Sequence, residues 1–470
     1  MNSPRLPEDI LTEFDTSISG ELNLDPLGLQ VIWSAYGQII FRNRISSISN
    51  DVRNYTLNLF NHAVTKALVE DDHVLLGKGL INDKAYASRG KDSIAFKQSC
   101  LIYLENVFAY AMVGAQAQEG VETVGVLGIS KARRRWDESS GNPWLLFSHE
   151  ARAHVLVRQN SLGVSGRYKT PLVQMAFFDS NYDYALPKSR PLWREVQKQL
   201  LVDSGPLARL KKLVLAHLTG VLANGHRVPE HQFSSVPKNL RLEFVNAFSS
   251  SARVGAYARD FWLAVTELNK GAPGALYELL NKEWMPDGSR HERPIAEVFA
   301  LASKKTTLTQ ADKDKLENVR VLEPFLGEVD LLLGVMLSAK SQSIDDVANK
   351  WRALGRDAHT LPSQAAPIET NAAMRAQISS TASVRLDELL ELARGADVRQ
   401  QVERLLKYHN RVMETRGQSP WLRLLDASQL KIDVRTRPLP KMKERPLGTW
   451  VNQYYIPQFR RLLSGLRGTV

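Results

Sequence analysis

Residues 240–268 read LRLEFVNAFSSSARVGAYARDFWLAVTEL, and their pattern sets the expected class of structure. The apolar residues recur every three or four positions, which is the spacing of one face of an α-helix. Similar patterns fill most of the chain from 191 to 354, between short loops that contain Gly, Pro or Asp; they cover 207–222, 294–303, 310–321 and 325–337. No fixed repeat period is present, so an irregular bundle of helices is predicted.

The N-terminal part of the chain has helical patterns over 27–40, 52–68 and 94–111. Three shorter segments rich in Val, Phe or Leu lie among turn residues and favour β-strands, namely 122–129, 153–158 and 172–179. We therefore expect a mainly α protein with a minor β element (α+β) in its N-terminal half.

The chain has 470 residues, which exceeds the usual size of a single hydrophobic core, so several domains are expected. We predict an N-terminal helical domain with the small β element over 1–190, a central helical domain over 191–360, a linker over 361–385 and a basic helical unit over 386–470. The linker segment has no aromatic residue and is rich in Ala, Ser, Thr and Gln. Residues 1 to about 30 resemble a polar lead-in arm.

Cys100 is the only cysteine, so neither an intramolecular disulfide nor a Cys-based zinc site is expected, and a reducing compartment, the cytoplasm, fits best. The first residues are acidic where a signal peptide is basic, and no apolar run reaches about 18 residues. A secretion signal or a membrane span is therefore not expected. The glycine-containing stretches at 125–133 and 162–171 lack the Walker pattern, and no cofactor or metal is predicted.

The formal net charge is +11, and such a charge favours partners that carry negative charge. Two regions concentrate basic side chains among aromatic ones, a combination that suits phosphate contacts and base stacking. In the N-terminal half the candidate residues are Lys131, Arg133, Arg134, Arg135, Trp136, Arg167 and Lys169. In the last forty residues, where the net charge is +7, they are Arg435, Arg437, Lys441, Lys443, Arg445, Tyr454, Tyr455, Arg460 and Arg461.

Two pairs of residues keep a catalytic alternative open. Asp179 and Asp183 end an apolar segment, as metal-binding acids of nucleases do, although an Asx-type turn explains them equally well. Arg404 and His409 have the Arg-x4-His spacing that resembles the active-site motif of the HEPN ribonucleases, but Leu405 stands where that family has a polar residue. The histidines of HEARAH at 149–154 are five apart, which excludes the zincin motif, whose histidines are four apart.

These patterns favour a non-catalytic subunit that binds DNA or RNA within a bacterial multi-protein assembly, such as one for phage defence, restriction or repair. Its partners are expected to include other protein subunits, such as an ATPase, a helicase or a nuclease, and no membrane. The alternatives are a nucleic-acid-processing enzyme and a scaffold without nucleic-acid contact, because the C-terminal aromatic residues also suit a buried helix face.

Overall fold

The computed structural model describes residues 25–468 apart from 224, 286 and 427, so the predicted lead-in arm lies almost wholly outside the described residues. The structure is 60% helical and 4% strand, which confirms a mainly α fold with a minor β part. The helices of the first half are α1 Leu29–Phe41, α2 Val52–Glu70, α3 Lys78–Ile81, α4 Ile94–Gly114, α5 Ile129–Glu138, α6 Gln159–Leu162, α7 Val164–Arg167, α8 Lys169–Gln174, α9 Ser189–Glu195 and α10 Pro206–Ala223. Those of the second half are α11 Lys238–Phe248, α12 Ser251–Thr266, α13 Gly271–Asn281, α14 Ile295–Ser303, α15 Gln310–Met336, α16 Ile344–Ala353, α17 Thr360–Glu369, α18 Ala372–Arg375, α19 Ser380–Ala393, α20 Val398–Thr415 and α21 Ile456–Leu466.

Two small antiparallel sheets accompany these helices. The strands are β1 Trp144–Leu146, β2 Glu230–Gln232, β3 Ser341–Ser343, β4 Leu422–Leu424 and β5 Gln429–Ile432. The first sheet pairs β1 with β2, and the second has the order β3-β5-β4. The three strands predicted at 122–129, 153–158 and 172–179 are wrong: these segments form turns, bends and the end of α8. Their apolar residues, such as Val126, Val155 and Phe177, are buried as loop residues without a strand partner.

The chain forms two compact units, and each contains residues far apart in sequence. The first unit comprises residues 25–42 and 269–456 of the described chain, and the second comprises 43–268 and 457–468. These boundaries differ from the consecutive domains expected from sequence. The difference arises because α1 packs on α15 and α19, whereas α21 packs with α2 and α12.

The second unit is built around α2, which is buried along most of its length. Asp51 begins the helix by accepting the backbone N–H of Arg53 at 2.7 Å. The backbones of α12 and α21 approach closely: a Cβ on Gly255 would lie 1.9 Å from the carbonyl oxygen of Gly465, and one on Gly465 would lie 2.8 Å from Val52. Glycines at these two positions therefore allow the last helix to dock on this core.

The 240–268 stretch lies in the second unit and forms two helices in place of one. Ser250 interrupts the pattern, since its Oγ accepts the backbone N–H of Arg253 at 3.0 Å and caps α12. Phe244 and Phe248 of α11 pack their rings against Phe60 of α2. The periodicity therefore predicted helical structure correctly, whereas the break between α11 and α12 depends on the cap at Ser250.

The first unit is organised by α15, which is 27 residues long and contains Pro324. The preceding residue, Glu323, is fully buried, and its Oε1 accepts the backbone N–H groups of Val451 and Asn452 at 2.5 and 2.7 Å. Its Oε2 accepts the hydroxyl of Tyr454 at 2.7 Å. One carboxyl group of α15 thereby holds the extended segment that precedes α21.

Residues 361–385, predicted as a linker, are largely helical and belong to the first unit. They contribute all of α17 except its first residue, all of α18 and the start of α19, and Leu361, Ile368, Met374 and Ala382 are fully buried. A composition rich in Ala and Ser therefore does not prevent order here. The few apolar side chains lie at helical spacing and are buried.

We predict that Glu323→Gln changes how stability depends on pH. Burial raises the pKa of Glu323 from 4.5 to about 7, whereas the unfolded chain ionises near 4.5. Between these two pKa values the Glu323 carboxyl is protonated in the folded state and ionised in the unfolded state. The free energy of unfolding of the wild type therefore falls by roughly 3 kcal/mol as the pH rises through this range. Glutamine does not titrate. Urea unfolding at several pH values should show that the free energy of unfolding of Glu323→Gln rises by that amount relative to the wild type as the pH increases between the two pKa values. For the exposed control Glu414→Gln, the difference from the wild type should not change with pH. A constant difference for Glu323→Gln would contradict the raised pKa.

Candidate nucleic-acid interface

Two of the predicted arginines of α5 are used in contacts within the second unit. Arg133 donates from Nε to Gln116 at 2.8 Å and from Nη2 to the hydroxyl of Thr123 at 2.6 Å. Arg135 donates to the backbone carbonyl of His154 at 2.6 Å. Both side chains are partly buried and tie α5 to its neighbours, which leaves less of each guanidinium for a ligand.

The remaining residues of the α5 cluster differ in exposure. Arg134 is exposed and forms an ion pair with Glu138 one turn later, at 3.2 Å. The indole of Trp136 is partly buried and packs edge-on against Phe233, with ring centres 5.6 Å apart, so part of its surface is already used in packing. Lys131 is half-buried. This helix therefore presents fewer available positive charges than its sequence indicates.

Lys169 and Arg167 lie beside the short helices α7 and α8. The Lys169 ammonium donates to the carbonyl of Ser180 at 2.7 Å and lies 4.0 Å from the ring centre of Tyr182. Burial lowers the pKa of Lys169. Arg167 is partly buried and already has a partner within the protein. Lys169 therefore ties the start of α8 to the turn at Ser180.

The two C-terminal tyrosines are anchored in the first unit. Tyr454 is buried and donates to Glu323, and the hydroxyl of Tyr455 lies 2.6 Å from Ser34 Oγ. The Tyr455 ring packs on the face of α1 left open by Gly37, where a Cβ would lie 2.8 Å away. Base stacking by these rings would require them to leave their sites.

The basic residues of the C-terminal region fall into two groups. Arg437, Arg445 and Arg460 make contacts inside the protein: Arg437 lies 5.6 Å from the ring centre of Trp421, Arg445 donates to a backbone carbonyl of α15 at 2.7 Å, and Arg460 is buried. The exposed residues are Arg435, Lys441, Lys443 and Arg461. Arg461 belongs to the second unit and the other three belong to the first.

A further group of exposed positive charges is one that the sequence patterns did not single out. It lines a cleft of about 640 Å³ in the second unit, which we call the basic cleft. The cleft lies between α2 and α9, and a π-helix at Val196–Leu200 continues α9 along its edge. Its lining consists of Ala63, Lys66, Glu70, Tyr184, Ala185, Arg190, Trp193, Arg194, Gln197 and Lys198.

Four cations and one carboxylate line the basic cleft, which gives it a net charge of +3. The carboxylate, Glu70, is paired with Lys66. Arg190, Arg194 and Lys198 are exposed and form no ion pair with any carboxylate in the described part of the chain. Positive side chains gathered without counter-charges form an attractive surface for an anion.

Lys211 of α10 adds a further positive charge near the cleft. Burial lowers the pKa of Lys211, and the neighbouring Lys66 lowers it further, while Glu70 opposes the shift. An anion bound in the cleft would reduce the repulsion between these two ammonium groups.

Buried aromatic side chains form the floor of the basic cleft and fix its shape. Trp193 donates its indole N–H to the carbonyl of Phe177 at 2.9 Å, which anchors α9. The hydroxyl of Tyr184 lies 2.8 Å from Nδ1 of His62 in α2. Burial lowers the pKa of His62 to about 3, so this histidine is neutral at physiological pH. A rigid floor beneath exposed cations gives the cleft a preformed geometry.

A sequence signal for the cleft is present in KSRPLWREVQK at 188–198. Arg190, Arg194 and Lys198 follow one another at intervals of four residues, and residues four apart share a face of a helix. The charge of this segment is less dense than that of the C-terminal region. Only the fold shows that α2 brings a further lysine to the same face.

The carboxylates proposed for nuclease chemistry close turns. Asp179 Oδ1 accepts the backbone N–H groups of Asn181 and Asp183 at 2.8 and 2.9 Å, and Asp183 Oδ1 accepts that of Ala185 at 2.8 Å. This is the hydrogen bonding of Asx turns. No group of three or more His, Cys, Asp or Glu side chains within the described ranges is placed to hold a metal ion.

Arg404 and His409 do not face a common site. His409 is fully buried, and its Nε2 accepts the backbone N–H of Trp421 at 2.9 Å, so Nδ1 carries the proton and donates to the carbonyl of Pro26 at 3.0 Å. Burial lowers the pKa of His409. Arg404 donates to the carbonyl of Glu391 at 2.5 Å. Both ring nitrogens of His409 form hydrogen bonds with backbone groups, so a structural role explains why a histidine lies at this position.

No protein-family model, curated protein or solved structure matches this chain. Among the described helices, none combines the length and the apolar character needed to cross a bilayer.

Proposed function

We propose that this protein binds nucleic acid without acting on it, as a cytoplasmic subunit of a bacterial multi-protein assembly, and that the basic cleft is its principal phosphate-contacting surface. The observation that carries the proposal is the row of Arg190, Arg194 and Lys198, all exposed and without carboxylate partners among the described residues. The net charge of +11 supports the same ligand class.

The chemistry of the row suits a phosphodiester backbone. Arg190 and Arg194 lie one α-helical turn apart, about 5.4 Å along the helix axis, which is of the order of the spacing between neighbouring phosphates in an extended strand, and Lys198 follows in the π-helix. Arginine offers a planar fork that can bind two phosphate oxygens, and the lysines add point charges. The aromatic side chains of the cleft floor are buried, so the cleft contacts the sugar-phosphate backbone of the nucleic acid and distinguishes little between base sequences. Binding of this kind depends strongly on salt because it releases counterions.

A triple variant, Arg190→Gln/Arg194→Gln/Lys198→Gln, tests the proposal. We expect it to weaken binding of single-stranded DNA or RNA at least about tenfold at low salt, and to reduce the slope of log K against log salt by about 2, because each lost phosphate contact contributes roughly 0.7. Fluorescence anisotropy with labelled oligonucleotides over a range of salt concentrations measures both quantities.

The matched control is Arg152→Gln, which removes an exposed arginine of the same unit that is paired with Glu150 at 2.9 Å. It should leave affinity and salt slope close to those of the wild type. Absence of binding by the wild-type protein at about 50 mM salt to DNA and RNA alike would remove the proposal. Equal binding by the triple variant and the wild type would show that the basic cleft is not the binding site.

A further inference from the structure

A second group of polar side chains in the second unit lies apart from the residues of the basic cleft. It comprises Tyr103 of α4, His217 of α10 and His231 of β2. The hydroxyl of Tyr103 lies 2.7 Å from Nε2 of His217 and 2.8 Å from Nε2 of His231. Tyr103 is buried, while both histidines are half-buried. Side chains from three different elements therefore converge on the Tyr103 oxygen, and the two histidines are partly exposed.

The hydrogen-bond directions in this group are determined by the surroundings of His231. Its Nδ1 lies 3.1 Å from the carbonyl of Gln232, which can only accept, so Nδ1 carries the proton. Nε2 of His231 then has a lone pair and accepts the Tyr103 hydroxyl. His217 in turn donates from Nε2 to the tyrosine oxygen. A histidine whose Nδ1–H is held by a backbone carbonyl has the orientation found in metal-binding imidazoles.

We propose that Tyr103, His217 and His231 form a binding site for a divalent transition metal of the Zn²⁺ type, with Nε2, Nε2 and Oη as ligands and a fourth position open to water. Two imidazoles and one oxygen ligand suit zinc, and three protein ligands plus water complete a tetrahedron. The proposal does not depend on nucleic-acid binding.

Zinc binding requires both imidazoles to move away from the tyrosine oxygen. Zinc bonds of about 2.0 Å at tetrahedral angles place neighbouring ligand atoms about 3.3 Å apart, so each nitrogen must move roughly half an ångström from the oxygen. Burial lowers the pKa of His217 to about 4, with His231 as the next cause, so His217 is neutral at pH 7, as a ligand must be. The buried Cys100 has no place in this ligand set.

Metal binding changes the proton count by one. The Tyr103 hydroxyl loses its proton to solvent and becomes a phenolate ligand. His217 keeps its proton but transfers it from Nε2 to Nδ1, which makes no hydrogen bond with the described residues. His231 is already protonated on Nδ1. Burial raises the pKa of Tyr103, so a phenolate at this position is expected only when a cation replaces the proton.

The test uses the full-length protein and zinc chloride. Isothermal titration calorimetry in buffers of different ionisation enthalpy should give one zinc ion bound and one proton released per chain. The near-ultraviolet absorption should gain a tyrosinate band on zinc addition. His231→Gln should lower the affinity at least about tenfold, and Tyr103→Phe should remove the tyrosinate band while keeping the fold.

His73→Gln is the matched control, because His73 is exposed and lies outside the group. It should bind zinc as the wild type does and show the same tyrosinate band. Three outcomes would overturn the proposal: no zinc binding by the wild type, equal affinities for His231→Gln and His73→Gln, or zinc binding without a tyrosinate band. Oligonucleotide binding measured on the same variants distinguishes this result from a failure of the basic cleft, since none of these residues lines that cleft.

Discussion

Arg356→Met is expected to lower the free energy of unfolding of the first unit by about 3–5 kcal/mol, because it leaves a carboxylate buried without its partner. The Arg356 guanidinium donates from Nε and Nη2 to the two oxygens of Glu328, each at 2.9 Å. The side chains are only 2% and 1% exposed. Nη1 also donates to the carbonyl of Leu354 at 2.5 Å, so the arginine joins α15 to the loop after α16. Urea unfolding followed by near-ultraviolet circular dichroism measures the loss.

Two controls make this prediction specific. Arg352→Met changes an exposed arginine of α16, four residues earlier, and should cost little. The double variant Glu328→Leu/Arg356→Met removes both charges, so it should recover much of the stability lost in the single variant, since an apolar pair can replace a buried ion pair. If the double variant were as unstable as Arg356→Met, or if the single variant were as stable as the wild type, the buried charge would not be the cause.

Arg53→Met is expected to lower the free energy of unfolding of the second unit by about 3–5 kcal/mol, because it removes charge-assisted hydrogen bonds worth about 1.5–3 kcal/mol each. Arg53 is fully buried and donates to the carbonyls of Glu122 and Val124 at 2.6 and 2.5 Å, with Ser249 at 3.5 Å. Burial lowers the pKa of this arginine, and the nearby Asp51 opposes the shift. Urea unfolding should show the loss, and hydrogen exchange should show faster exchange of the amides at 122–126.

Arg53→Lys is the conservative comparison: its single ammonium can bind one or two of these carbonyls, so it should lie between the wild type and Arg53→Met. Arg134→Gln provides a surface control, because the Arg134–Glu138 pair is exposed. A stable Arg53→Met protein with unchanged exchange at 122–126 would show that the loop is held by other contacts.

Helices with strong periodicity were predictable because their burial pattern is local. The patterns at 94–111 and 207–222 match α4, Ile94–Gly114, and α10, Pro206–Ala223, to within a few residues. Residues 386–413 have apolar side chains at helical spacing throughout, but they lie in two helices, α19 and α20, since Asp397 accepts the backbone N–H of Gln400 at 2.8 Å and starts a new helix. A cap reorients the chain without disturbing the apolar spacing on either side of it.

The sequence predicted the charge of the ligand, but it did not predict which residues form the candidate site. A basic chain with clusters of arginine implies an anionic ligand, but several of those arginines satisfy carbonyls of their own unit, as Arg135 and Arg445 do. A guanidinium has five donors and serves buried backbone as readily as phosphate. Sequence alone does not distinguish these uses, because the carbonyl that accepts the bond comes from a distant part of the chain.

The order of residues was enough to establish a helical, basic protein, because helical spacing and charge are properties of neighbouring residues. It could not establish which helices share a core, since α1 packs with residues more than two hundred positions away and α21 packs with α2. The basic cleft likewise exists because folding places Lys66 of α2 opposite Arg190 and Arg194 of α9. Such contacts depend on which surfaces exclude water together, and that is a property of the folded chain.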